Sequence, residues 1–299
     1  MSMGRVTQSM MSHSALSGLQ TSLRRVSDLQ EQLSTGRTIN RPSDDPIGAA
    51  SAMKLRSTKA EQAQYSRNAD DGLAWLNQID GALGSAGDQL RRARDLAVQG
   101  ANSGSMGQQA RDALATEVDQ IRQGITSVAN TTYLNRPVFN GVDKGSTAYA
   151  GSTGPVTWSG TPGNVVRRVG DGVDINVNVN GPDAFGTDGG SVFDHLAALS
   201  TALRAGNTGD ISAAIDTLKT DSDRISTARA DVGTRTNRIE LAKSRAEDAG
   251  LTLSSSISEV ENVDLAKATV DLQLQQVAYQ AALAATAKVM QPSLQDFLR

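Results

Sequence analysis

The chain has no cysteine anywhere in its 299 residues. This excludes disulfides, thiolate metal ligands and cysteine nucleophiles together, and suits a protein that passes unfolded through a channel or works outside the cell without cross-links. There are only two histidines, His13 and His195, and neither has a Cys, Asp or Glu at metal-ligand spacing on a shared face. Aromatic residues make up 3% of the chain, too few for the core of a large compact globule. No stretch approaches the roughly 18 apolar residues that a membrane span needs. Polar residues break every apolar run in the first 30, so no cleavable secretory signal is visible, and export is expected by a route that does not cut the N-terminus. With 29 basic against 32 acidic residues the net charge is −3, which gives no uniform field to attract nucleic acid or an anionic membrane. There is no phosphate-binding glycine loop, Walker pattern or Gly-x-Ser-x-Gly elbow. The reading is of a protein that is not an enzyme and carries no cofactor or metal.

What the chain does have is small and medium apolar side chains at helical spacing. Near the front, Leu16, Leu19, Leu23, Val26, Leu29 and Leu33 recur at steps of three and four, and near the back Val263, Val270, Val277 and Ala284 fall every seventh residue. Each stripe wants a partner helix, which brings the two ends of the chain together. The first helix is expected from about Gln8 to Leu33, stopped by Ser34-Thr35-Gly36. After a loop, Asp44 and Asp45 are expected to cap a second helix whose first residue is Pro46, because a proline there gives up only a donor that would be unpaired anyway. That helix runs to about Ser103 on Leu76, Leu83, Leu90 and Ala97, with Ile79, Ala86 and Ala93 as the second heptad position. Gly104 to Gly107 turns the chain into an antiparallel return helix, Gln108 to Asn130, carrying Leu114, Val118, Ile121, Ile125 and Val128 on one face. After a short helix at 192–205, Ile211, Leu218, Ile225, Val232, Ile239, Ala246, Leu253 and Val260 keep a seven-residue spacing, enough for a rod of roughly 75 Å. The register slips at Val260 to Val263, which marks a joint before the terminal helix.

Between Thr131 and Asp188 glycine, proline, Thr, Asn and Val replace the helix formers. Val173, Ile175, Val177 and Val179 alternate with polar residues as a half-buried strand, and Val165 to Val169 pairs with it across Gly170-Asp171-Gly172. This β-rich insertion is expected to project as a small unit. The paired carboxylates Asp44-Asp45 and Asp70-Asp71 read as caps or solvated charge, and the cluster Arg91, Arg92 and Arg94, without interleaved aromatics, as a solvated or subunit-facing surface. The fold class is therefore mainly α: an elongated multi-helix coiled-coil bundle formed by the N- and C-terminal segments, with a small β-rich insertion.

A family likeness comes from particular words in the chain. Arg5-Val6-Thr7-Gln8-Ser9-Met10-Met11, Leu33-Ser34-Thr35-Gly36-Arg37 and Arg41-Pro42-Ser43-Asp44-Asp45-Pro46 resemble the N-terminal signature of the bacterial flagellin superfamily, in its hook–filament junction branch. Asn68-Ala69-Asp70-Asp71-Gly72 and Arg94-Asp95-Leu96-Ala97-Val98-Gln99 resemble stretches shared with flagellin itself. At the other end Glu261-Asn262-Val263-Asp264-Leu265-Ala266, the run Gln275 to Ala287 and Ser293-Leu294-Gln295-Asp296-Phe297-Leu298 again resemble the junction branch. Phe139-Asn140-Gly141 is closer to flagellin, the filament subunit, which stands as the alternative.

The resemblance implies a secreted, extracellular building block of the flagellum that self-associates into a ring. Hook-associated protein 1 lies on its hook side, flagellin polymerises on its filament side, and a flagellar export chaperone holds the C-terminal helix before type III export. The expected domains are a terminal assembly domain of 1–40 and 262–299, disordered in the monomer, a helical rod of 41–140 and 189–261, and an outward β-rich domain of 141–188. The expected self-assembly residues are Leu16, Leu19, Leu23, Val26, Leu29, Leu33, Val263, Leu265, Val270, Leu272, Leu274, Val277, Leu283 and Met290. Among these, Leu265, Leu272, Leu283 and Met290 are read as lying off the main C-terminal seam.

Overall fold

The computed structural model describes residues 8–102, 107–151 and 154–290. Helices dominate: α1 (Gln8–Thr35), α2 (Pro46–Ala101), α3 (Gln108–Ala129), α4 (Gly181–Phe185), α5 (Val192–Ala205), α6 (Thr208–Glu261) and α7 (Leu265–Met290). Three antiparallel two-stranded ribbons lie between α3 and α4: β1 (Thr132–Tyr133) with β2 (Arg136–Pro137), β3 (Tyr149–Ala150) with β4 (Thr157–Trp158), and β5 (Val166–Gly170) with β6 (Val173–Asn176). The chain divides into two compact units, one of residues 1–60 with 251–299 and one of 61–250.

In the larger unit the expected heptads are the core. Leu76, Ile79, Leu83, Ala86, Leu90, Ala93 and Ala97 on α2 are buried together with Ile211, Leu218, Ile225, Val232 and Ile239 on α6. Arg229 pairs with Asp80 at 2.9 Å and Lys243 with Asp70 at 2.6 Å, so α2 and α6 run antiparallel. The return helix α3 is tied to α2 by Arg92–Glu117 at 2.7 Å and to α5 by Arg204–Asp119 at 2.8 Å. The expected turn at Gly104 lies outside the described residues. A capping box at α5, with Ser191 and Asp194 each accepting the other's backbone N–H, fixes where that helix starts.

The β segment lies within the larger compact unit and packs against its helices. Phe139, Phe185, Phe193 and Tyr149 meet edge-on or tilted with ring centroids 4.9 to 5.9 Å apart, and their cluster is continuous with the helical core. The few aromatics are thus concentrated where ribbons must be stapled to helices, since a two-stranded ribbon alone buries too little to be stable. The β5–β6 hairpin is held by Arg167–Asp71 at 2.6 Å and by Asn68, which donates to the Arg168 carbonyl at 2.7 Å. Gly72 makes this approach possible: a Cβ there would sit 3.1 to 3.2 Å from Ile239 and Val177. The strand expected to reach Val179 ends at Asn176, because Asn178 turns its side chain to the backbone, accepting from Val165 N–H and donating to the Gly163 carbonyl.

Candidate assembly interface

In the smaller unit α1 ends at Thr35, with Gly36 at φ +70° and its N–H on the Gln32 carbonyl. Beyond it a short antiparallel bridge ties the two ends of the chain together. Val263 N–H donates to the Gly36 carbonyl at 3.1 Å, Thr38 N–H to the Glu261 carbonyl at 2.7 Å, and the Thr38 hydroxyl to the Asn262 carbonyl at 3.2 Å. The register slip read at 260–263 is this joint. Glu261, nearly buried, receives Arg56 at 2.6 Å from α2, and Asp264 then caps α7 by accepting from Ala266 and Lys267 N–H.

From this joint α1 and α7 run antiparallel. The side of α1 turned to α7 carries Ala15, Leu19, Ser22, Val26, Leu29 and Leu33, a regular four-three alternation. Leu16 and Leu23 sit beside this seam and are about half exposed. On α7 the facing set is Ala268, Leu272, Gln275, Tyr279, Ala282 and Thr286, and Gln275 donates to Ser22 Oγ at 3.0 Å across the middle. The seam expected on α7 is therefore displaced. Val270, Val277 and Ala284 face away from α1, and Leu272, expected off the seam, is on it. Val263 is half-buried at the joint, Leu265 and Leu283 are exposed, and the side chain of Met290 lies outside the described residues.

The displacement has a plain cause. At roughly 100° per residue, Val270, Leu274, Val277, Ala281 and Ala284 lie about 160–240° round the helix from the α1-facing set. α7 thus has two apolar stripes on opposite sides, and the seven-residue repeat marks the outer one. Leu274 is 70% exposed and Val277 66%.

The cap residues divide their work. Asp45 accepts Ile47 and Gly48 N–H at 3.1 and 3.0 Å above Pro46, which stands at the first position of α2. Asp44 does not cap the helix; its carboxylate accepts Arg41 and Asn40 N–H at 2.7 and 3.0 Å and staples the preceding loop. The hydrogen bond from Arg41 N–H holds Asp44 below the usual carboxylate range. These bonds, the Arg56–Glu261 pair and the terminal joint were not read from sequence, because the partners in the last two lie some 200 residues apart; only the Asn-x-x-x-Asp spacing before Pro46 could have signalled the staple.

One titratable cluster also escaped the sequence reading. His195 Nδ1 lies 2.6 Å from Asp221, whose buried carboxylate also takes Arg224 at 3.0 Å; burial pulls Asp221 upward against the His195 hydrogen bond and the Arg224 guanidinium. Among the described residues no group of three or more His, Cys, Asp or Glu could hold a metal ion, and no helix is long and apolar enough to cross a membrane.

The geometry is that of a chain whose ends pair and leave an apolar surface uncovered, and its likeness to known proteins runs along the same lines. The bacterial flagellin N-terminal helical region matches residues 6–143, and the flagellin C-terminal helical region matches 213–298. Flagellin of Halalkalibacterium halodurans is 28% identical over 87% of this chain and 86% of its own length. Flagellar hook-associated protein 3 of Salmonella typhimurium is 26% identical over 93% of this chain and 94% of its own. The crystal structure of Bacillus cereus FlgL shares the fold with a TM-score of 0.60 at 22% identity, covering 69% of this chain and 99% of that one. The chain belongs to the bacterial flagellin family, whose members are structural components of the flagellum, an extracellular appendage, and not enzymes.

Proposed function

We propose that this chain is the hook–filament junction subunit, which forms a ring at the end of the hook-associated protein 1 layer and presents the surface on which flagellin polymerises. The observation that carries the reading is the second apolar stripe of α7. Val270, Leu274 and Val277 remain exposed when α1 is in place, and a helix apolar on two sides is stable in water only when both are covered. In a ring the outer stripe is covered by neighbouring subunits. Fixing the backbone of the terminal segments costs entropy that the inner seam, with Ala, Ser, Gln and Thr among its side chains, offsets poorly. The terminal pair therefore becomes ordered as subunits come together, and folding is coupled to assembly. Before that, an export chaperone shields the C-terminal helix, and the chain leaves through the flagellar type III apparatus. The wording at Arg41-Pro42 and Val263-Asp264 supports the junction role, as does the match to hook-associated protein 3 over nearly its whole length.

The second reading is the filament subunit itself, favoured by Phe139-Asn140-Gly141 and by the matches to flagellins. Immunogold labelling of whole flagella separates the two. A single band at the hook–filament boundary is the expected result; decoration along the filament would assign the chain as flagellin, and absence from flagella would remove both readings.

A further inference from the structure

The β1–β2 hairpin closes through Leu134 and Asn135, both with positive φ, +48° and +61°. A two-residue turn of this hand is normally made by Asn-Gly, because a Cβ is crowded there. Here the first position holds a leucine, and that leucine is 78% exposed. One residue thus carries both a backbone conformation that its side chain disfavours and an apolar side chain left in water. Nothing among the described residues explains this pairing, whereas the hairpin beneath it is packed against α2. Tyr133 packs edge-on against Trp75 at 5.4 Å and hydrogen-bonds Asp71; Arg136 stacks over Trp75 at 5.5 Å and donates to the Gly141 carbonyl. The tip is an uncharged knob, its one flanking cation, Arg136, lying over the Trp75 indole.

The same unit carries a matching recess. A groove of about 310 Å³ is lined by the buried Ile175 and Ala246, the exposed Val173 and Leu241, and Arg238 and Arg245. It is large enough for a leucine side chain, and it stands open while the molecule's own Leu134 is in solvent. The carbonyl oxygens at the tip, the Asn135 amide oxygen among them, are of a chemistry that accepts from the two guanidinium groups.

We propose that Leu134 of one copy seats in the Val173–Leu241 groove of the next copy. Each molecule then offers the knob to one neighbour and the groove to another, a head-to-tail contact that propagates round a ring or along a helix. Pre-setting the knob in its bound conformation lowers the ordering cost at the moment of contact. The inference rests on the self-assembling reading above, and names a contact outside the terminal helices.

The absence of cysteine makes the test clean. Full-length chains carrying Leu134→Cys and Leu241→Cys are co-expressed, flagella are isolated, and a mild oxidant is added. The expected result is a covalent dimer joining the two variants and neither variant to itself, with a ladder of multimers when both substitutions share one chain. Leu134→Asn, which suits positive φ, is expected to leave thermal stability equal or higher while reducing incorporation about tenfold or more. Variants present at the flagellum by immunogold but giving no 134–241 cross-link, or Leu134→Asn incorporating as the unsubstituted chain does, would overturn the contact and leave the junction reading standing. Cross-linking of Leu134→Cys to another flagellar protein instead would also overturn it. Absence of the unsubstituted chain from flagella would remove the junction reading and the contact with it.

Discussion

Neighbouring carboxylates at the start of α2 do different jobs, and each supports a measurement. Asp45 closes two N–H groups of the first turn. Asp45→Ala is expected to lower stability by about 1 kcal/mol in a denaturant titration. Asp44 acts on the loop before it, and its lowered pKa fixes the sign of a pH effect. The ionised form is favoured in the folded loop, so its contribution is fully present above the ordinary value of 3.8 and is lost as pH falls through the lower folded value. Asp44→Asn is expected to abolish this part of the acid transition, so the variant's stability should change less below pH 3.8 than the unsubstituted chain's; equal acid transitions would count against the staple. The sequence placed both residues at a helix start but could not separate them, because the separation depends on which N–H groups the loop 40–44 turns inward.

At the scale of elements, the heptads of α2 and α6 were legible because large residues occupy one stripe and polar ones the rest, so Leu76 to Ala97 and Ile211 to Ala246 fell into the core as read. α7 was misread for the opposite reason. It is apolar on two opposite sides, and the periodicity of valine every seventh residue picked out the stripe facing away from α1, while Ala268, Leu272 and Tyr279 took the inner seam. The packing of the β ribbons was equally hidden, because it rests on side chains far apart in sequence, such as Phe139 and Phe193. The two stripes of α7 can be told apart by experiment. Leu274→Asp with Val277→Asp alters the exposed stripe only, so unfolding of the isolated chain is expected to shift by no more than about 0.5 kcal/mol. Incorporation into flagella is expected to be abolished. Normal motility and firm filament attachment in that double variant would show that the outer stripe is not used.

For the molecule as a whole, the two units differ in what holds them. The larger has a continuous core of Leu, Ile, Val and Phe; the smaller relies on a seam interrupted by Ser22, Gln275 and Thr286. Amide exchange followed by mass spectrometry is expected to show rapid exchange throughout α1 and α7 in dilute protein and slow exchange at 76–97 and 211–239. Strong protection of both terminal helices in the isolated molecule would contradict folding on assembly. The joint between Gly36 and Val263 adds a direction to that process. Because strands of chain at 36–38 and 261–263 are already held side by side, pairing of α1 with α7 starts from a fixed nucleus and zips outward toward the chain's two ends, each step closing a small loop rather than a large one. Trimming either tail then shortens the zipper from its open end while its nucleus survives, so losses on truncation accumulate turn by turn instead of all at once.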